Sequence, residues 1–519
     1  MKKFSKILSV ALLVALVLSL GVANAFADGE EAATGNTITM TTSAGHTYAA
    51  YQIFTGKLEE VDGSNVLSDI QWGVGVNGTA LLAALKADAT YGAAFAEANT
   101  AADVAKVLGN YASNGTDIAA LAKIIGANKT TASATGTTAI SGLADGYYLI
   151  VDQTVADDMP EGDTYSDFML EVVDDVDVTA KDTTTTSDKK VKEKNDSTDY
   201  TSDWQDAADY DIGDTIPFKL TGTVASDYDK YTTYYFSFHD VQSAGLTFDA
   251  SSVKVYLGAT GDSLIDASKY SVKTSDLTDG CTFEIEFTDL KQVAGVSANS
   301  VIRVEYTSTL NENAVIGSLG NQNKSNIEFS NNPNGNQHGK TPEDVVTVFT
   351  YGLLVNKFDE DGETALKGAG FTLSKWNGTE YVPVGDEIKG EDMTSFEFKG
   401  IDAGQYKLEE TTVPTGYNKA SDLEFKVVGT YATAGDPPAL TALAVTDLEG
   451  NALTSWTIDS VTVGEATSKY AQAETGIENH KGSVLPSTGG IGTTIFYVVG
   501  GVLVLAAIIL LVTKKRMSE

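Results

Sequence analysis

One cysteine, Cys281, stands alone in 519 residues, so no disulfide can form within the chain. Proline is scarce at nine residues, which leaves long stretches free to pair as strands. Basic residues are few: 35 Lys and Arg face 71 Asp and Glu, a formal net charge of -36. That balance excludes a nucleic-acid partner and fits a self-repelling, soluble extracellular surface. The four histidines, His46, His239, His338 and His480, show no metal-ligand spacing, and there is no nucleophile triad or phosphate loop. The chain therefore lacks the marks of an enzyme, of a metal centre and of any cofactor. A secreted chain often relies on disulfides. Under mechanical load this one needs some other covalent staple.

Two apolar stretches bracket the chain. At the start, Lys2, Lys3 and Lys6 precede an apolar run from Ile7 to Val22, and Ala23-Asn24-Ala25 and Ala25-Phe26-Ala27 fit small-x-small cleavage sites. Residues 1–27 are expected to be a secretory signal, with a retained anchor as the alternative. At the end, Leu485-Pro486-Ser487-Thr488-Gly489 is followed by an apolar run at about 491–512, then Lys514-Lys515-Arg516. The run is long enough to cross a bilayer as a helix, and the basic cluster keeps the tail cytoplasmic. In that order and place, the three parts of residues 483–519 resemble the sorting signal of Gram-positive surface proteins. The resemblance implies a sortase that cuts between Thr488 and Gly489 and holds Thr488 as a thioester for an incoming amine.

Length alone suggests three or four domains. Threonine, glycine, valine and tyrosine are plentiful, and many short alternating segments read as strands, so the fold is expected to be mainly β, as tandem immunoglobulin-like β-sandwich domains plus the C-terminal transmembrane helix. The first domain, 28–181, opens on the strand Thr37 to Thr41 and continues with Tyr48 to Phe54. Between Thr79 and about Ile125, Leu81, Leu82, Leu85, Val104 and Leu108 recur at helical spacing, predicting one or two short helices inserted into a β-domain. Strands return at Gly146 to Asp152 and near Phe168 to Thr179. Asp152 is a candidate buried acid, without a well-phased lysine. The domain ends in Val176-Asp177-Val178-Thr179-Ala180-Lys181. This is similar to the pilin motif of sortase-assembled pili, with Ala180 in place of the usual proline. The resemblance implies that Lys181 attacks the thioester at Thr488 of another copy. A lysine amine is ordinarily charged at neutral pH, so the sortase pocket must deprotonate it.

The second domain, 182–345, begins with Asp188-Lys189-Lys190-Val191 and closes with Asn326 to Pro333. Period-2 alternation puts Lys189 on the face of Val191, Asn331 on that of Ile327 and Phe329, and Asp240 on that of Phe236 and Phe238. Three buried polar groups are costly unless they serve one another. They resemble the Lys–Asn–Asp set of the collagen-adhesin A-type (CnaA) fold. That resemblance implies an intramolecular isopeptide bond from Lys189 to Asn331 with Asp240 as catalyst; Lys190 and Asn332 are adjacent alternatives, and Glu286 is a rival acid that sits out of phase.

The third domain, 346–482, starts at Leu353-Leu354-Val355-Asn356-Lys357. Its strongest motif is Tyr406-Lys407-Leu408-Glu409-Glu410-Thr411 before Val413-Pro414-Thr415-Gly416-Tyr417. Glu410 shares a strand face with Tyr406 and Leu408, Lys357 with Val355, and Asn479 with Ile477. The motif resembles the pilin E-box and the collagen-adhesin B-type (CnaB) fold. This implies a Lys357–Asn479 isopeptide bond catalysed by Glu410, and a CnaB-like first domain carrying the helical insert.

Nearly the whole mature chain is thus similar to a Gram-positive sortase-assembled major pilin. The implied function is a wall-anchored shaft subunit joined Thr488 to Lys181, head to tail, that supports adhesion; the alternative is a wall-anchored adhesin or a minor tip or basal pilin. The implied partners are pilin-class and housekeeping sortases, identical subunits, minor pilins, peptidoglycan and host surface ligands. The implied location is the cell surface, after a membrane-tethered precursor.

Overall fold

The computed structural model describes residues 35–61, 64–111, 116–179, 183–277, 279–482 and 491–517. The proposed signal, Lys181 and the Leu485–Gly489 motif lie outside them. The described strands sort into three consecutive two-sheet units, over 36–179, 186–349 and 351–478.

In the first unit, a small sheet joins Ala139–Leu143, Asn36–Thr41 and Val176–Thr179. Its last strand runs parallel to its first, with Ile38 opposite Val176 and Met40 opposite Val178. The larger sheet is covered on both faces, which explains why Tyr48 to Phe54 and Tyr148 to Asp152 are buried almost without alternation. Tyr48 and Ala50 face the small sheet, whereas Ala49, Tyr51 and Ile53 face helices.

Those helices number four among the described residues, Gly78–Ala87, Gly92–Phe95, Ala101–Leu108 and Thr116–Ala127, rather than the one or two expected. The break before Ala101 has a local cause. Thr100 and Asp103 form a capping box: the Thr100 hydroxyl accepts from Asp103 N at 3.1 Å, and Asp103 Oδ2 accepts from Thr100 N at 2.9 Å.

The second unit packs a sheet containing Phe236–Gln242, Phe283–Phe287, Asn321–Ser330 and Asp344–Phe349 against one containing Thr186–Val191, Thr215–Thr223, Leu246–Leu257 and Val301–Leu310. The third packs Tyr351–Phe358, Ser395–Ile401, Trp456–Val463 and Ala466–Glu478 against a sheet centred on Gly404–Thr412.

The joint between the second and third units is buried and polar. Ala207 and Phe349 belong to the third unit's core. Lys375 Nζ lies 2.6 Å from Asp211, 2.7 Å from Asp402 and 3.2 Å from Asp196. Beside it, Asp209 N donates to Glu193 Oε2 at 2.8 Å, and the Tyr431 hydroxyl is 3.5 Å from both carboxylates. Burial pushes the Glu193 and Asp209 carboxyls up, and the charge of Asp209 raises Glu193 further. The folded chain therefore holds protons that the unfolded chain releases above about pH 4, so stability falls as pH rises through the folded values. Glu193→Gln removes that loss. The variant should melt about 3 °C or more above the parent at pH 8, with the gap closing by pH 5; equal melting at both pH values in scanning calorimetry would contradict the assignment.

The C-terminal helix Ile491–Met517 carries a span of membrane-crossing length and composition at Ile495–Lys515. Its apolar side chains from Ile495 to Val512 are exposed, as a lipid-facing helix requires.

Candidate functional site

The third unit brings its three predicted residues together. Tyr351–Phe358 and Ala466–Glu478 are parallel neighbours with Lys357 opposite Ile477. Asn479 lies two residues beyond Ile477, on the same face and diagonal to Lys357; its N–H donates to Phe358 O at 3.1 Å. Glu410 reaches in from the opposite sheet. Asn479 Nδ2 donates to Glu410 Oε1 at 2.8 Å and Oε2 at 3.1 Å, and Ala420 N donates to Oε2 at 2.7 Å. Lys357 Nζ donates to the backbone carbonyls of Ile477 at 2.9 Å and Phe358 at 3.1 Å. All three residues are at most 2% exposed. Burial pushes the Lys357 amine below its ordinary value, against the pull of Glu410. Among the described residues, Asn479 Oδ1 has no hydrogen-bond partner. A buried amine with a lowered pKa, a carboxamide and a carboxyl are thus packed in one buried pocket.

The second unit does so with one change of residue. Lys189 and Asp240 are fully buried and touch across the sandwich. The Tyr306 hydroxyl bridges them, accepting from Lys189 Nζ at 3.0 Å and donating to Asp240 Oδ2 at 2.8 Å. Burial pushes Lys189 down and Asp240 up; each opposes the other's shift without being its main cause. Both directions favour a neutral amine beside a protonated acid. Among the described residues, Asp240 Oδ1 makes no hydrogen bond.

Asn331 is not part of this group. Phe236 pairs with Phe329 and Phe238 with Ile327, so Asp240 stands opposite Ser325. Asn331 lies six residues farther along, about 20 Å away at the rise of a strand. It sits instead in the turn before His338–Lys340, where its carbonyl accepts from Tyr165 N of the first unit at 2.8 Å. The asparagine at the site is Asn323, fully buried, with Nδ2 donating to the Tyr306 hydroxyl at 2.9 Å and Oδ1 unpartnered among the described residues. Asn323 has the same strand phase as Asn331. What marks it is the register that the Phe236–Phe329 and Phe238–Ile327 pairs impose.

The named alternatives face outward. Lys190 pairs with Asp188 and Asp206, and Glu286 contacts Lys273 and the Tyr235 hydroxyl. Asn332 caps its own turn through Asn334 N at 2.8 Å. In the first unit, the buried Asp152 meets a histidine: His46 Nδ1 is 2.6 Å from Asp152 Oδ2. The strand Val176–Thr179 leads into residues 180–182, and beyond them Thr183 is buried and bonded to Thr164.

Three family models match the chain. Residues 212–333 match the Gram-positive pilin backbone subunit 2, Cna-B-like domain, a B-type description where the sequence suggests the A type. Residues 352–435 match the SpaA prealbumin-like fold domain, and 477–519 the LPXTG cell wall anchor motif. The trypsin-resistant surface T6 protein of Streptococcus pyogenes serotype M6 is 24% identical over 365 residues, covering 59% of this chain; the chain spans 65% of that protein's length. The solved T6 backbone pilin of serotype M6 shares the fold with a TM-score of 0.51, at 18% identity, over 88% of this chain and 100% of that one. The full-length major pilin SpaD of Corynebacterium diphtheriae aligns over 89% of this chain and 100% of its own, at 17% identity and a TM-score of 0.46. The matched domains and their order mark the chain as a cell-wall-anchored surface protein similar to Gram-positive backbone pilins.

Proposed function

We propose that this chain is the shaft subunit of a covalent pilus, stiffened by two internal isopeptide bonds. The observation that carries the reading is the dry triad of Lys357, Asn479 and Glu410, which joins the first and last strands of a domain. Neutral Lys357 Nζ attacks Asn479 Cγ. The Glu410 carboxyl passes a proton to the amide oxygen as the tetrahedral centre forms. The Cγ–Nδ2 bond breaks as the departing nitrogen takes the amine's surplus proton, ammonia leaves, and the carbonyl re-forms as its hydroxyl proton returns to Glu410. Lys189, Asn323 and Asp240 stand for the same steps in the second unit, with Tyr306 holding the acid and the amine in line.

Between copies, a sortase thiolate attacks the Thr488 carbonyl and expels the Gly489 amine. Lys181 Nζ then displaces the thiolate, leaving an amide between Thr488 and Lys181 of the neighbour. Repetition gives a head-to-tail, non-closing assembly. Minor pilins, peptidoglycan and host surface ligands are its further partners.

Cell-wall material boiled in denaturant should run as a high-mass ladder of this chain; a single monomer band would overturn the shaft assignment. The second-unit bond has its own test. Asn323→Ala should show one ammonia loss fewer against its own sequence mass, a difference of about 17 Da by transamidation stoichiometry, whereas Asn331→Ala should show both losses. The reverse pattern in intact-mass spectra would return the bond to Asn331.

A further inference from the structure

The outer face of the second unit's larger sheet holds a side-chain group that the covalent chemistry leaves unused. In Phe236–Gln242, Phe236, Phe238 and Asp240 face the core, so His239 points outward. Its cross-strand partner is Glu284 of Phe283–Phe287. An outward pair on a sheet is ordinarily solvated. Here His239 is 5% and Glu284 6% exposed, with Asp279 and Cys281 close against them. Cys281, 8% exposed, is the chain's single cysteine.

The contacts are close. His239 Nδ1 lies 2.6 Å from Asp279 Oδ2 and 3.7 Å from Glu284 Oε1; Cys281 Sγ lies 3.6 Å from Glu284 Oε1. One donor atom from each of the four residues falls within 4.8 Å of all the others. With Nδ1 turned into the group, the other ring nitrogen, Nε2, is buried and makes no hydrogen bond among the described residues. It faces the Glu328 carboxylate, 3.7 Å away. A histidine directed at a shared centre by one nitrogen and at an outer carboxylate by the other is the usual posture of a metal-bound imidazole.

We propose that His239, Asp279, Cys281 and Glu284 bind one divalent transition-metal ion of the zinc type. The donor set is one nitrogen, one sulfur and two oxygens. Calcium and magnesium take oxygen ligands, whereas imidazole with thiolate suits zinc. Four donors complete a tetrahedral site, the closed form that serves structure rather than catalysis. Binding replaces the Cys281 S–H bond by a sulfur–metal bond and releases that proton to water. The thiolate and two carboxylates exceed the ion's charge by one. Lys340, 3.2 Å from Asp279, and Lys273, 3.6 Å from Glu284, supply compensating charge at the rim. The ion would pin the segment before Phe283 to the strand that carries Asp240, a staple on the outside of the sheet whose inside carries the proposed amide.

The test uses the full chain in detergent, stripped with a chelator and titrated with zinc by calorimetry and with cobalt(II) by absorption. One zinc ion should bind per chain. Cobalt should give a near-ultraviolet thiolate-to-metal band and the visible bands of a tetrahedral ion. Cys281→Ser should abolish the near-ultraviolet band, and both it and His239→Gln should weaken zinc binding at least about tenfold. Absence of stoichiometric zinc binding in the parent overturns the proposal. So does a Cys281→Ser chain with unchanged cobalt spectrum and zinc affinity. Circular dichroism of the stripped variants matching the parent separates ligand loss from misfolding.

Discussion

Glu410→Ala yields a full chain that keeps the ammonia of one amide bond, so its mass exceeds that of a doubly bonded chain by about 17 Da after allowance for the side-chain change. The amine and carboxamide remain in the pocket, but no acid is left to polarise the amide or carry the proton. Glu410→Gln keeps the shape and the hydrogen-bonding reach and should fail equally, which separates acid chemistry from packing. The lost bond closes a loop of about 120 residues, worth on the order of 5 kcal/mol by the chain-entropy account of crosslinks. Resistance to trypsin should fall accordingly. Under tension the effect is larger still. Tyr351–Phe358 and Ala466–Glu478 run parallel, with Lys357 near the exit of one and Asn479 just past the end of the other. Force entering at Tyr351 would cross at Lys357 and leave at Asn479, bypassing every hydrogen bond between them. Without the amide, the same pull shears the ladder, and unfolding is governed by its barrier rather than by equilibrium stability. An unchanged ammonia loss in both variants would remove Glu410 from the chemistry.

Lys181→Ala should abolish the high-mass ladder altogether and leave a wall-linked monomer. Thr488 would still be captured as a thioester, but without Lys181 the only acceptor is the wall amine. Both internal ammonia losses should persist, because each depends on the residues of its own buried triad. A ladder that survives in this variant would move the acceptor to another lysine while leaving the internal bonds as they are.

The third unit's triad was legible in the sequence because each member sits on a strand whose alternation is unambiguous. Tyr406, Leu408 and Glu410 share one face, as do Ile477 and Asn479, and burial follows from phase alone. In the second unit, phase was insufficient. Asn321, Asn323, Ser325, Ile327, Phe329 and Asn331 all point the same way, and which of them meets Asp240 is a question of register. The signal was present: matching the aromatic pair Phe236 and Phe238 against Phe329 and Ile327 runs Asp240 toward Ser325 and Asn323, away from Asn331. The helices of the first unit were undercounted because alanine-rich stretches carry little periodic contrast, whereas the Thr100–Asp103 capping box gave the break. The His239 group was invisible for a different reason. Its residues come from one strand and a loop over the next, and no spacing in the sequence announces a contact made across a sheet.

The central claim is that Lys–Asn pairs sealed from water become amides. The most direct measurement is tandem mass spectrometry of tryptic peptides from pili sheared off the cell. The account predicts branched peptides joining Lys357 to Asn479, Lys189 to Asn323 and Lys181 to Thr488; peptides that are linear throughout would contradict it.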